Sequence, residues 1–420
     1  MRWDFRRTQD DYAIYLPALQ KSYFASSSKT HSEDENWLYE LCEQHDFLKE
    51  NQLFYYPYAL MSTGHINLAT KDGKFHEDMY RKRDRTKTIL VGDSGGYQIG
   101  SGAWPADWTN EDDNAAYVKR TMILEWMDKF CDYGITLDVP PWLIDHETSD
   151  SSKCYTFSDC VGATKINHDY WIENRTGACK FLNVLHGQNK SDAWSWYQTF
   201  KHYSDPKQYA DKAFDGWSFG GHYKGWMPHI TDVLVQLFHD GLLAQGKHDW
   251  LHFLGVSTLP AAVTLTCLQR ALRKFINPKI TLTFDSSSPF LSAQKHGCYL
   301  SHPNLVHNEK WSFTSKKLDG GFYPIWRSPI CNSVYGELLR TTEGERASPA
   351  VNKLLAIHNC WLMFNAFHAA NNLYDRGNRP KQFEGFDIQK IFNDIFCQYD
   401  LNPSKQIIAD NFDALRAVSF

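Results

Sequence analysis

Thr88-Ile89-Leu90-Val91-Gly92-Asp93-Ser94-Gly95-Gly96-Tyr97-Gln98 is a short apolar run closed by a carboxylate and then by a glycine turn. Runs of the same kind recur down the chain: Ile135-Thr136-Leu137-Asp138, Phe181-Leu182-Asn183-Val184-Leu185-His186, Trp217-Ser218-Phe219-Gly220, Leu251-His252-Phe253-Leu254-Gly255 and Ile280-Thr281-Leu282-Thr283-Phe284-Asp285. Apolar runs of this length, bounded by small or polar residues, fit buried parallel strands. Between them, residues 117–130, 230–243 and 261–275 carry apolar positions at helical spacing, so the order is strand, helix, strand, helix. A run at 52–60 supplies a first strand, which makes seven visible units. Polar residues gathered at the C-terminal strand ends favour an α/β fold of the closed (β/α)8 TIM-barrel kind, because barrel active sites assemble on that face. An open Rossmann sheet would want a GxGxxG turn near the start, and the sequence has none there. After Asp285 the pattern changes: residues 296–347 look loop-rich, and a long helix begins near Ser348. The expected organisation is one domain over residues 1–420, with the barrel at about 50–295 and a C-terminal helical elaboration at about 296–420.

Composition narrows the class. In 420 residues, 42% hydrophobic, there is enough apolar material for one large core. No stretch approaches the roughly 18 uncharged apolar residues of a membrane span. The start, Met1-Arg2-Trp3-Asp4-Phe5-Arg6-Arg7, runs into charge instead of a signal core, so a cytoplasmic location is expected. Ten cysteines stand apart without a CxxC pair, which points to reduced thiols. A net charge of −5 means that any polynucleotide contact must come from a local patch. The basic run Arg81-Lys82-Arg83-Asp84-Arg85-Thr86-Lys87 precedes the strand that ends in Asp93, so it belongs to the opposite barrel face and is expected as a solvated loop. Arg270, Arg273, Lys274, Lys316, Lys317, Arg327 and Arg340 are the alternative phosphate-contact candidates.

Asp93, Asp138 and Asp285 each close a strand, so a barrel brings all three to one mouth. Helix caps or Asx turns in the following loops would use the same residue type without any chemistry. Two carboxylates in one mouth can run a double displacement, in which one attacks an anomeric carbon while the other protonates the departing group. Burial and mutual repulsion would hold one of them protonated and leave the other an ionised nucleophile. Gly220 and Gly221 can present bare backbone N–H groups, and His186-Gly187-Gln188 adds side-chain donors, although ordinary turn glycines would look the same.

Taken in order, these segments resemble the tRNA-guanine transglycosylase superfamily. Its barrels carry a DSGGFQ turn, a strand-end Asp that reads the base, a Gln-Gly turn, a Gly-Gly turn and an FDxxxP nucleophile strand. The counterparts here are Asp93-Ser94-Gly95-Gly96-Tyr97-Gln98, Asp138, the His186-Gly187-Gln188 turn, Gly220-Gly221 and Phe284-Asp285-Ser286-Ser287-Ser288-Pro289. Leu354-Leu355-Ala356-Ile357-His358-Asn359 is similar to the family's LLTIHN helix, so the likeness spans roughly residues 50–370. The resemblance implies that Asp285 attacks C1′ of a guanosine unit while Asp93 serves as general acid and base. It further implies that Asp138 accepts from guanine N1–H and N2–H2, and that Tyr97 stacks on the base. Ser94, Gly95, Gly96 and Gln98 would shape the pocket, and His186, Gly187, Gly220 and Gly221 would contact the O6 edge. No cofactor is implied.

The departures concern the substrate and the metal. The tRNA enzymes follow the nucleophile with Pro-Thr-Arg, whereas Pro289 is followed here by Phe290-Leu291-Ser292. In place of their CxCxxC zinc ligands stands Trp326-Arg327-Ser328-Pro329-Ile330-Cys331. Cys331 and His358 alone cannot complete a tetrahedral shell, so no metal is expected unless Cys298, His296 or His302 is recruited. These features look like the DNA-acting branch of phages and bacterial genome islands, which exchanges guanine in DNA for a 7-deazaguanine such as preQ0. A changed N7 alters the major-groove edge that restriction enzymes read. The implied partners are DNA, with its guanine flipped out or single-stranded, and a free 7-deazaguanine base. No membrane is implied, a homodimer stays open, and the compartment would be the host cytoplasm for a phage protein. The alternatives are a divergent tRNA-guanine enzyme, a non-catalytic nucleic-acid-binding barrel and an unrelated barrel glycosidase.

Overall fold

Eight apolar segments pair side by side, all in parallel, and close into a barrel in chain order: β1 (Ile14–Leu19), β2 (Tyr58–Ser62), β3 (Ile89–Asp93), β4 (Tyr133–Ile135), β5 (Lys180–Leu185), β6 (Gly216–Phe219), β7 (Trp250–Phe253) and β8 (Thr281–Ser286). The computed structural model describes residues 11–24, 42, 44–66, 78–145, 149–221, 226–317 and 349–419. Both faces of a parallel barrel strand are covered, which is why β1, β2, β6 and β7 are buried at every position. The (β/α)8 architecture expected from the sequence is therefore present.

The barrel begins earlier than about residue 50. The first strand is Ile14–Leu19, which pairs with both β2 and β8, and the 52–60 run contributes its end to the second strand. Pro17 explains the difference, because a proline inside a short apolar run counts against a ladder strand. Register then fixes the mouth. Ser62 lies beside Asp93 on neighbouring strands, and Leu16 lies beside Asp285.

Four of the barrel helices start on side-chain caps. Asp113 caps Asn114–Phe130, Thr156 and Asp159 form a capping box on Phe157–Asn174, Asn189 caps Lys190–Phe200, and Thr258 caps Leu259–Phe275. The far end of the barrel is plugged by Tyr133 and Trp250, from the starts of β4 and β7, whose rings stack with centroids 4.1 Å apart.

On that far face lies the basic run, exposed over most of its length as expected of a solvated loop, with Arg83 the exception. Arg83 is buried: its guanidinium meets Asp132 at 2.6 Å and donates to the carbonyls of Thr88 and Phe130. Arg85 pairs with the same aspartate. Arg270 is likewise engaged by Asp11 and Asp375, Arg273 donates to the Ile280 carbonyl ahead of β8, and Lys274 lies over Phe275. Arg270 and Arg273 thus brace the fold, whereas Lys274 is exposed. Lys316 and Lys317 are exposed on a small hairpin, β9 (Cys298–Leu300) with β10 (Ser315–Lys317), while Arg327 and Arg340 lie outside the described residues.

Beyond the barrel, the Pro349–Asp375 helix packs on Ser288–His296, on Leu259–Phe275 and on β1, and Ile388–Phe396, Leu401–Asp410 and Phe412–Ala417 follow. It shares the barrel's core: Phe364 stacks on Tyr56 at 3.8 Å, and Phe367 packs on Tyr15 at 4.8 Å. His358 Nε2 bonds the Leu300 carbonyl at 2.8 Å, and Asn359 accepts from Leu300 N and donates to the carbonyls of Pro289 and Cys298. Burial lowers the His358 pKa to about 4, and the Leu300 bond offsets only part of that. The His-Asn pair thus pins the hairpin by hydrogen bonds. Among the described residues no three His, Cys, Asp or Glu side chains gather as metal ligands; Cys331 and the His296 side chain lie outside them, and His302 is exposed. No helix among the described residues is long and apolar enough to cross a membrane.

Candidate active site

Strand ends set the mouth. Asp93 closes β3, Asp138 follows β4, His186 follows β5, Gly220 follows β6, Gly255 follows β7, and Asp285 sits one residue from the end of β8. None of the three aspartates serves as a helix cap. The helix after Asp93 starts from Gly95, the one after Asp285 starts from Ser287, and Asp138 leads into a short 3-10 turn at Pro141–Asp145. Asp93 does accept from Gly95 N at 3.3 Å, a local turn bond.

Asp93 reaches solvent through the mouth yet sits deep among protein atoms. Burial raises its pKa above the usual carboxylate range; bonds from the Ser62 hydroxyl and Gly95 N–H pull the other way, and the charges of Asp285 and Asp138 add to the rise. All three carboxylates therefore act within one electrostatic neighbourhood. Asp285 is buried, and its Oδ1 accepts from Gly255 N at 2.8 Å, with His252 Nε2 standing 3.3 Å away. Oδ2 has no bond from the described residues and is absent from the enclosed, unpartnered atoms, so it is the oxygen left for the mouth.

Asp138 is buried, and its Oδ2 lies 2.8 Å from His186 Nε2. Gly96 presses on the other side. A Cβ at that position would stand 2.7 Å from Asp138 Oδ1, so only glycine allows the turn to pass this carboxylate. The Gly220-Gly221 pair does the same for His186: a Cβ would fall 2.9 Å from the imidazole at Gly220 and 2.7 Å from Nδ1 at Gly221, where φ is +59°. Gly220 is not a free donor, because its N–H bonds the Leu185 carbonyl at 3.0 Å. Gly187 serves packing as well, since a Cβ there would lie 2.5 Å from Ala193 N of the next helix. The glycines thus seat His186 and Asp138; the backbone donors expected for a carbonyl are already used at Gly220.

The remaining turn residues divide into supports and rim. Ser94 is buried and donates to the Thr136 carbonyl at 3.1 Å, which ties β3 to β4, while its own carbonyl accepts from Thr63 Oγ1 at 2.7 Å. Gly95 has φ +86°, and a Cβ there would strike Trp104. Gln98 packs on Gly64, and its Oε1 is buried with no partner. Tyr97 is 68% exposed and leans on Trp142 with centroids 5.8 Å apart, an aromatic pair at the rim. Gln188 donates to the Pro141 carbonyl and to Asp145, holding the loop that follows Asp138.

Sequence inspection missed Ser62, Trp142 and His252. His252 carried a signal, being the one strongly polar side chain inside the apolar strand Trp250–Phe253. Ser62 had none, because a serine at a strand end is common. No family model matches this chain, and no curated protein matches it.

Proposed function

We propose that this chain is a base-exchanging glycosyltransferase that replaces guanine in DNA with a 7-deazaguanine through a covalent aspartyl intermediate. The observation that carries the proposal is the pairing of unlike carboxylates in one mouth, Asp93 pushed toward its protonated form and Asp285 with Oδ1 held by the Gly255 N–H and Oδ2 open. In the first half-reaction, Asp285 Oδ2 forms a bond to C1′ as the C1′–N9 bond breaks, the bonding pair leaves on the base, and Asp93 supplies its proton. In the second, Asp93 takes a proton from the incoming base, whose nitrogen displaces Asp285 from C1′. Asp138 would read the base through the lone pairs that His186 leaves open, and Tyr97 with Trp142 offers a stacking surface at the rim.

A DNA substrate is favoured over tRNA by the segment after Pro289. Phe290 is buried against Tyr23, with ring centroids 5.0 Å apart, and the cationic residue that follows in the tRNA enzymes is replaced by Leu291. That turn serves the core here. Chemistry at C1′ also needs the nucleotide out of the stack, so the target is flipped or single-stranded.

The test is release of label from guanine-labelled DNA and, separately, labelled tRNA, each with excess preQ0 and an Asp285→Ala control. Release from DNA alone, abolished in the control, supports the proposal. Release from tRNA alone transfers it to the tRNA enzyme, and none from either leaves a binding role.

A further inference from the structure

We infer that His252 is a positioning residue that fixes the Asp285 carboxylate for attack, an inference that rests on the base-exchange proposal above. His252 is wholly buried inside the barrel beneath the mouth. Its Nδ1 lies 2.8 Å from Thr283 Oγ1, and its Nε2 lies 3.3 Å from Asp285 Oδ1. Thr283 Oγ1 has one proton and two lone pairs, which leaves two arrangements for the imidazole. Trp250 Nε1 donates to Thr283 Oγ1 at 3.0 Å, so the hydroxyl's single proton goes either to His252 Nδ1 at 2.8 Å or to the Leu251 carbonyl at 3.3 Å. Giving it to the carbonyl would let Nδ1–H donate to Thr283 and leave a bare Nε2 lone pair 3.3 Å from the Asp285 carboxylate; giving it to Nδ1 avoids that repulsion and puts the ring's own proton on Nε2, facing Asp285.

That Nε2 has no partner in hydrogen-bond line, which in a buried ring is costly to leave. Asp285 Oδ1, already held by Gly255 N, is the acceptor within reach. A small rotation of either side chain makes the bond, as ground-state contacts of this kind tighten when substrate arrives. Two donors then hold Oδ1, and the plane of the carboxylate aims Oδ2 at C1′. The chain Trp250, Thr283, His252, Asp285 runs from the plugged end of the barrel to the carboxylate whose other oxygen reacts.

The variants that test this are His252→Asn and His252→Gln. A Gln amide nitrogen reaches the place of imidazole Nε2, whereas Asn reaches only the place of Nδ1. In single-turnover release from guanine-labelled DNA, His252→Asn is expected to slow cleavage by about 10²-fold with KM little changed, and His252→Gln to recover about tenfold of that loss. Both should melt alike. Thr283→Val, which keeps the volume of the side chain but removes the proton that sets the ring, is a second variant should the first pair fold poorly; it is expected to slow cleavage about tenfold. Equal rates for Asn and Gln, wild-type rates in all three variants, or a loss confined to KM would overturn the role of His252 while leaving the base-exchange proposal standing. A wild-type protein that releases nothing from DNA or tRNA removes both.

Discussion

Replacing Gly96 with alanine tests how the mouth is built. The added Cβ would stand 2.7 Å from Asp138 Oδ1, 3.0 Å from the Asp138 carbonyl oxygen and 3.2 Å from its Cγ. Ordinary van der Waals contact begins near 3.5 Å, so the turn and Asp138 must part by about half an ångström or more. Asp138 has nowhere easy to go. Its Oδ2 is held by His186, and the imidazole is in turn walled by Gly220 and Gly221. Overpacking of this kind costs about 1–3 kcal/mol, against which alanine in a helical turn returns up to about 1 kcal/mol over glycine. The net expectation is a destabilisation of about 1–2 kcal/mol. Displacing the carboxylate proposed to read the base should also lower kcat/KM for base exchange by about 10- to 10²-fold, chiefly through KM for the free base. Gly162→Ala is the control: it lies on an exposed helix face with nothing within 4 Å of the new Cβ, and should stabilise by about 0.5–1 kcal/mol without touching exchange. Chemical denaturation and steady-state exchange kinetics on the two variants decide the matter. If Gly96→Ala matched Gly162→Ala in stability and the wild type in exchange, the close approach to Asp138 would have no role and the argument from glycine contacts would fail.

Asp93→Asn should abolish exchange yet raise the melting temperature at neutral pH. With the folded pKa above the unfolded one, Asp93 contributes stability below the ordinary carboxylate range and loses it as pH rises through the folded value, so the variant's advantage should vanish in acid. His168 is caged by Phe200, Tyr203 and Phe214 with neither ring nitrogen partnered, and burial pushes its pKa down to about 3. Because the unfolded chain takes up that proton first, stability drains as pH falls from about 6.5 toward 3. His168→Leu should be neutral or stabilising by about 1 kcal/mol at pH 7 and should flatten the pH dependence of the urea midpoint between pH 7 and 5. Arg83→Ala should cost about 3 kcal/mol by urea denaturation, since it strips Asp132 of its closest cation, and should leave DNA affinity by fluorescence anisotropy unchanged. A salt-dependent loss of DNA binding in that variant would return the basic run to the interface.

Strand-end chemistry was legible because a buried parallel strand is an apolar run, and a residue meant for the mouth has to interrupt it at one end. Asp93, Asp138 and Asp285 announce themselves in that way, and the fold class follows from their shared side. β1 announces nothing: Pro17 breaks the strand pattern, and its place between β2 and β8 is decided by pairings across more than 260 residues of chain. Charge was misleading for the same reason. A count of Arg81 to Lys87 cannot show that Asp132 waits beneath Arg83, or that Asp11 and Asp375 close on Arg270, because the partners lie on other elements. The glycines make the sharpest case. From the sequence, Gly220 and Gly221 read as donors of bare N–H groups; in the fold the Gly220 N–H completes the β5–β6 edge, and both residues are small so that the His186 ring can lie on them. Gly96 is small so that Asp138 can lie on it. The glycines in this mouth therefore make room for two particular side chains, Asp138 and His186, and a sequence motif records the absence of a side chain without naming what fills it. It follows that His186→Ala should open space over Gly220-Gly221 and free Asp138 Oδ2 together, whereas adding bulk at any of the three glycines should disturb the Asp138–His186 pair from a different side.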